Sequence, residues 1–288
     1  MSSGSFSLTD LIKEQDEKRR TLIKEIQQIA GGTKVINYCT NWGHPAGNII
    51  RPDLLVFNEM LSALQFPEKL DLIIHSPGGI VEVAETIVAT IRDSVKSFRV
   101  LVPEAAKSAA TLIALGSDEI LMSPIAELGP IDPAIVVGTD PVTRQPIFRP
   151  AWSYINSLKR LEEEIKGGRD PNIIIPLVHK IDPTLLDVAR NALDYSKSLA
   201  AKWMHQYMHI NETEAAAIAE RLQDVSQHLS HARAIRLKEI QQMGIKASLM
   251  PAELWSKVHE LYVRSTFALA EKRVKLIECE AKSLFGEV

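Results

Sequence analysis

The spacing of apolar residues changes several times along the chain, and each change marks an element. Over residues 8–30, Leu11, Ile12, Leu22, Ile23, Ile26 and Ile29 recur among charges as one face of an amphipathic helix. Gly31-Gly32 ends that stretch, as glycine does just past a helix C-terminus. The run KVINYCT, residues 34–40, has the β-branched content of a strand. Residues 53–65 read as a helix with Asp53 as its N-cap. From Leu70 onward, apolar runs at 70–74, 99–102 and 119–122 alternate with helical patterns at 81–95 and 109–115. Short buried strands separated by helices specify a largely parallel sheet with helices packed on it.

Beyond this the pattern is mostly helical. Residues 136–150, rich in Pro, Gly and Thr, read as a loop with a turn at Asp140-Pro141. Helices are expected at about 152–166, 184–208, 212–224, 237–243 and 252–283, with GGRDPN breaking the pattern after the first of them. There is no internal repeat.

Composition narrows the function classes. A net charge of -3 on 288 residues gives no attraction for nucleic acid or an anionic membrane. No run reaches the roughly 20 apolar residues that span a bilayer, and the first residues lack the basic-then-apolar order of a signal peptide. Two cysteines, Cys39 and Cys279, make no disulfide framework, which fits a reducing compartment. The expectation is a soluble cytoplasmic protein.

Candidate chemistry is concentrated between Asp71 and Ile135. In HSPGG, Gly78 and Gly79 leave backbone N–H groups unshielded after a strand, which alone reads first as an ordinary strand-to-helix turn and otherwise as an anion site. Roughly thirty residues on, Ser108 opens the apolar helix SAATLIAL among small neighbours. Alone it reads as an N-cap serine. Together the two motifs provide a nucleophile beside oxyanion donors, the minimum for acyl transfer.

HSPGG, AKSAATLIALGSDEI and ELGPIDP resemble the ClpP/crotonase-fold serine peptidases, in particular the serine dehydrogenase proteinase group of the signal peptide peptidase A-like branch. The resemblance runs over Lys34–Pro251 and is densest over Asp71–Ala134. It implies an α/β fold of repeated β-β-α/β-α units around a mostly parallel sheet. The chain would then divide into an N-terminal amphipathic helix (1–33), a ClpP/crotonase-like peptidase domain (34–251) and a C-terminal helix (252–288). By the same resemblance Ser108 is the nucleophile, and the N–H groups of Gly78, Gly79 and Ala109 are the oxyanion donors.

ClpP proper carries a histidine in the turn that here reads GPIDP, Gly129–Pro133, where none is present. The signal peptide peptidase branch uses a lysine base, and a desolvated lysine can accept the serine proton. Lys180, shortly before a long helix, is the first choice and Lys159 the second, from the same or a neighbouring subunit. Lys107 adjoins the serine but should point away, and His179 is a further, weaker candidate. His228 and His231 have a metal-like spacing without a third ligand, so no metal and no cofactor is expected. Asp132 reads as structural, with the orienting of a base as the alternative.

The resemblance therefore implies a peptidase acting on unstructured polypeptides through a Ser-Lys dyad, assembled as a homo-oligomer. A catalytically silent scaffold and a crotonase-like acyl-CoA enzyme are the alternatives.

Overall fold

A computed structural model describes residues 8–144, 146–179, 182–224, 233–269 and 273–287. The chain opens with helix α1 (Leu8–Ile29), strand β1 (Lys34–Thr40) and helix α2 (Asp53–Ala63). Then β2 (Lys69–His75), α3 (Val81–Ser94), β3 (Ser97–Val102), the short β4 (Ala105–Ala106), α4 (Ala109–Leu115) and β5 (Glu119–Met122) follow in the alternation expected of the apolar pattern. Strands β1, β2, β3 and β5 pair in parallel and form the centre of a seven-stranded sheet. A late strand, β10 (Ala247–Leu249), adds to β5 in parallel and completes that edge.

Alternation along each strand sends side chains to two separate cores. Leu70, Leu72 and Ile74 of β2 pack with α3 and α4 on one face. Ile73, with Leu101 and Leu121, faces Leu22, Ile23 and Ile26 of α1 and Leu254, Val258 and Leu261 of helix α10 (Ala252–Ala268) on the other. The C-terminal part of the apolar stripe of α1 is thus covered by the sheet and by α10.

The sequence reading misjudges the C-terminal region. The helix expected over 252–283 stops at Ala268, and β11 (Arg273–Glu278) and β12 (Ser283–Glu287) form a hairpin whose first strand pairs antiparallel with β1. The charges of RVKLIE disguise a buried strand, because each buried charge has a dedicated partner. Lys275 Nζ lies 2.9 and 2.8 Å from the two oxygens of Asp53. Glu278 is held by Arg19 Nε at 3.1 Å and by the Asn37 amide at 3.0 Å. Asp53 consequently does not cap α2. Its carboxylate also accepts from the Tyr38 hydroxyl and the Ile50 N–H.

A second correction concerns residues 136–150, expected as a loop. They carry most of a hairpin, β7 (Ala134–Thr139) and β8 (Pro146–Pro150), which follows the two-residue strand β6 (Glu127–Leu128). The prolines that argue against strand lie at the ends of β8, where an isolated two-stranded ribbon tolerates them. Asp140 makes the expected turn, its carboxylate accepting from the N–H groups of Val142 and Thr143.

Helix α5 (Ala151–Lys166) follows, and after GG comes α6 (Pro171–Val178), capped by Asp170 and opened by Pro171, a start signal the reading passed over. Helices α7 (Pro183–Gln206) and α8 (Glu212–Gln223) return the chain to the main core through Leu199, Trp203, Met204, Ala215 and Leu222. Strand β9 (Ile235–Arg236) and helix α9 (Leu237–Gln242) lead to β10.

Candidate active site

Both candidate motifs lie at the carboxyl edge of the parallel strands, where α/β sheets place their ligand sites. Ser76 follows β2 and is pinned by the backbone of the β4 segment. Its N–H donates to Ala105 O at 3.0 Å, and its own carbonyl accepts from Lys107 N–H at 3.0 Å. This pairing brings Gly78 against the turn that carries Ser108. A Cβ on Gly78 would lie 2.5 Å from Lys107 O, 2.8 Å from Ser108 Cβ and 3.0 Å from Ala109 N. On the other side of the glycines, Ile49 N–H donates to Gly78 O at 2.7 Å and Ile80 N–H to Ile49 O at 3.0 Å. The φ angles of Gly78 and Gly79 are 101° and 155°. Glycine is required here both for conformation and for contact.

Ser108 precedes α4 and does not act as a capping side chain. Its φ of 49° and ψ of -118° are outside the regions that L-residues occupy comfortably. Such a conformation persists only where surrounding structure imposes it. Here Lys107 on one side and Ala109 on the other are buried. The Ser108 hydroxyl is partly exposed and has no hydrogen-bond partner among the described residues. Among those residues the N–H groups of Gly79 and Ala109 also donate to no acceptor. The Gly78 N–H differs, being directed to Ser76 Oγ at 3.2 Å. Gly79 and Ala109 are therefore the donors open to an anion, and Gly78 provides the close approach.

Lys107 points away from the serine, as expected. Its ammonium is buried, 2.6 Å from Glu127 and bound to the carbonyls of Leu128 and Arg233 at 3.0 and 3.1 Å. It fastens the nucleophile turn to β6 and to the segment just before β9. Thr111, one turn into α4, donates to Ala106 O at 2.7 Å and accepts the Gly129 N–H at 3.1 Å. The GPIDP turn is further tied by Ser196 Oγ to Ile131 O at 2.6 Å and by Trp152 N–H to Asp132 Oδ1 at 3.0 Å. Thr111, Trp152 and Ser196 were not singled out from the sequence, whereas Lys107 and Asp132 were. The only local signal was Ser76 two residues before Gly78, the spacing at which a serine side chain accepts a backbone N–H.

Of the candidate bases that lie among the described residues, Lys159 and His179, neither makes a hydrogen bond to Ser108. Lys180 lies outside the described residues, as do His228 and His231. Lys159 is exposed on α5 and lines a cleft of about 430 Å³ with Arg190, Asp194 and Glu220, which Ser108 does not border. His179 is an exposed residue at the end of α6. His75 is buried at the end of β2, but it packs against Tyr262 of α10, on the sheet face opposite α4.

The sequence model of the ClpP-like SDH-type serine proteinases matches residues 58–284, well over half of the chain. The chain belongs to this family. Its sheet is mostly parallel with helices on both faces. Two proteins of Methanocaldococcus jannaschii described as uncharacterized, MJ0137 and MJ1495, are 44% and 41% identical to this SDH-type chain over 80 residues. The match takes in 27% of this chain and 28% and 27% of theirs, so it spans under a third of the curated relatives' length. Among solved structures, the 1510-N membrane-bound stomatin-specific protease is similar in two forms, a serine-to-alanine variant and a lysine-to-alanine variant holding a substrate peptide. They are 19% and 18% identical, each with a TM-score of 0.43, and the similarity covers 73% of this chain and 80% and 75% of theirs. No helix among the described residues is long and apolar enough to cross a membrane.

Proposed function

We propose that this family member is a serine peptidase of the signal peptide peptidase A-like kind, with Ser108 as nucleophile and the Gly79 and Ala109 N–H groups as its oxyanion hole. The observation that carries the proposal is the backbone of Ser108. A serine held at φ 49°, with its hydroxyl and the nearby Gly79 and Ala109 N–H groups unpartnered among the described residues, is what an attacking nucleophile needs and what a helix cap does not.

In this reading Ser108 Oγ bonds to the carbonyl carbon of a peptide while its proton passes to a lysine amine. The oxygen that gains charge is held by Gly79 and Ala109. Collapse breaks the C–N bond, the lysine returns the proton to the leaving amine, and water releases the acyl group by the same route. Lys180 is the proposed base, on its place shortly before α7, with Lys159 second. Either lysine can come from a neighbouring subunit, which makes a homo-oligomer part of the proposal. The substrate is an unstructured polypeptide, because the strand-like approach to Gly78 and Gly79 suits an extended backbone. The location proposed is the cytoplasm.

The test is hydrolysis of an unfolded, fluorescently labelled protein. Ser108→Ala is expected to abolish it with the fold retained, and cleavage at the wild-type rate would reject the reading. Lys180→Ala is expected to remove kcat and Lys159→Ala to spare it. The reverse pattern assigns the base to Lys159.

A further inference from the structure

The side chains of His75 and Glu104 meet behind the active site, at the two points from which its halves depart. His75 immediately precedes Ser76, and Glu104 immediately precedes Ala105, the residues whose backbones join the glycine segment to the nucleophile turn. His75 Nδ1 is 3.5 Å from Glu104 Oε2, and that nitrogen is buried without a hydrogen-bond partner among the described residues. The same carboxylate oxygen accepts the Tyr262 hydroxyl from α10. Tyr262 also sets its ring edge-on to the imidazole at 5.1 Å, while Trp42 lies on the imidazole at 5.5 Å. The Glu104 carbonyl accepts from Glu127 N–H at 2.7 Å, so backbone and side chain of this residue are both held.

We propose that Glu104, gripped by Tyr262 and set against His75, is a positioning residue that fixes the distance between the oxyanion donors and Ser108. The inference rests on the peptidase reading above. Glu104 touches neither the serine nor the open N–H groups. Its side chain is 46% exposed, so it is not a core carboxylate whose role is already filled by burial. What it controls is the approach of two backbone segments, three residues from Gly78 through His75 and four from Ser108 along its own chain. Oxyanion donors act over a narrow range of distances, and a displacement of about 1 Å is enough to cost roughly a hundredfold in rate. The grip comes through α10, so the helix on the far face of the sheet becomes a support of the catalytic geometry.

The experiment is the labelling of Ser108 by a fluorophosphonate, with the limiting labelling rate and the half-saturating concentration measured separately from thermal stability. Tyr262→Phe and Glu104→Ala are expected to lower the limiting rate by roughly tenfold or more, with the half-saturating concentration and melting temperature little changed. Glu104→Gln, whose amide oxygen still accepts the Tyr262 hydroxyl, is expected to recover most of the rate. Wild-type rates in Tyr262→Phe and Glu104→Ala overturn the inference and leave the peptidase reading standing. So does a loss of rate that follows a loss of melting temperature, because the role is then structural. Wild-type protein that takes no label at Ser108 overturns the peptidase reading, and this inference with it.

Discussion

Gly78 and Ser108 are packed so closely that a single methyl group on the glycine would stand 2.8 Å from the serine Cβ. The contact joins the oxyanion segment to the nucleophile turn without an intervening side chain. Gly78→Ala must therefore move one of them, and it must also hold an alanine at φ 101°. A loss of about 3 kcal/mol in stability is expected, together with loss of Ser108 labelling. Urea unfolding and fluorophosphonate reactivity measure the two effects, and unchanged stability would show that the turn yields more readily than its contacts imply.

Ser108 itself is held in a conformation that glycine adopts freely. Ser108→Gly removes a strain of about 1–3 kcal/mol and adds up to about 1 kcal/mol of chain entropy to the unfolded state. The variant is expected to be more stable than wild type by about 1 kcal/mol while inactive. Chemical denaturation of the two proteins decides it. A less stable glycine variant would mean that the serine side chain contributes packing that outweighs its backbone.

Lys275 and Asp53 are each buried, at 4% and 3% exposure, and they join β11 to the start of α2. Lys275→Met strands a buried carboxylate and is expected to cost about 3–5 kcal/mol. Adding Asp53→Asn is expected to recover a large part of that loss, because the amide can still accept from Tyr38 and Ile50. A double variant as unstable as the single one would place the loss in packing rather than charge.

His75 is kept below the ordinary imidazole value of 6.5, chiefly by burial, with the Glu104 charge opposing the shift. The other groups facing it, the Tyr262 phenol and the Cys39 thiol of β1, are both pushed upward by burial and remain neutral in this range. As pH falls through 6.5 the unfolded chain takes up a proton at His75 and the folded chain does not. Stability contributed by the neutral ring is thus complete above 6.5 and is lost toward the lower folded value. His75→Gln is expected to flatten the dependence of melting temperature on pH in that window. An identical slope in both proteins would assign the effect to other groups.

From Lys34 to Met122 the fold is legible because apolar runs coincide with strands and amphipathic spacing with helices. The glycine pair and Ser108 are legible for a related reason, since positive φ and close approach restrict residue type so strongly. What the pattern conceals is charge that tertiary contact neutralises. Lys275 and Glu278 make β11 look like a solvated helix face until Asp53 and Arg19 are placed against them. Lys107, by contrast, reads correctly as pointing away, but its part in holding β6 and the segment before β9 depends on residues farther along the chain. A general base presents the same difficulty, because any of several lysines satisfies the sequence and only position selects among them.

The pairing of β1 with β11 also bears on how the protein is made. During synthesis β1 emerges more than two hundred residues before the strand that covers its outer edge. Until then a row of unpaired backbone groups on an apolar strand lies open to other chains. The nascent protein therefore passes through a stage with an adhesive sheet edge, when rapid translation or warm growth favours aggregation and a chaperone that shields β1 has most to offer.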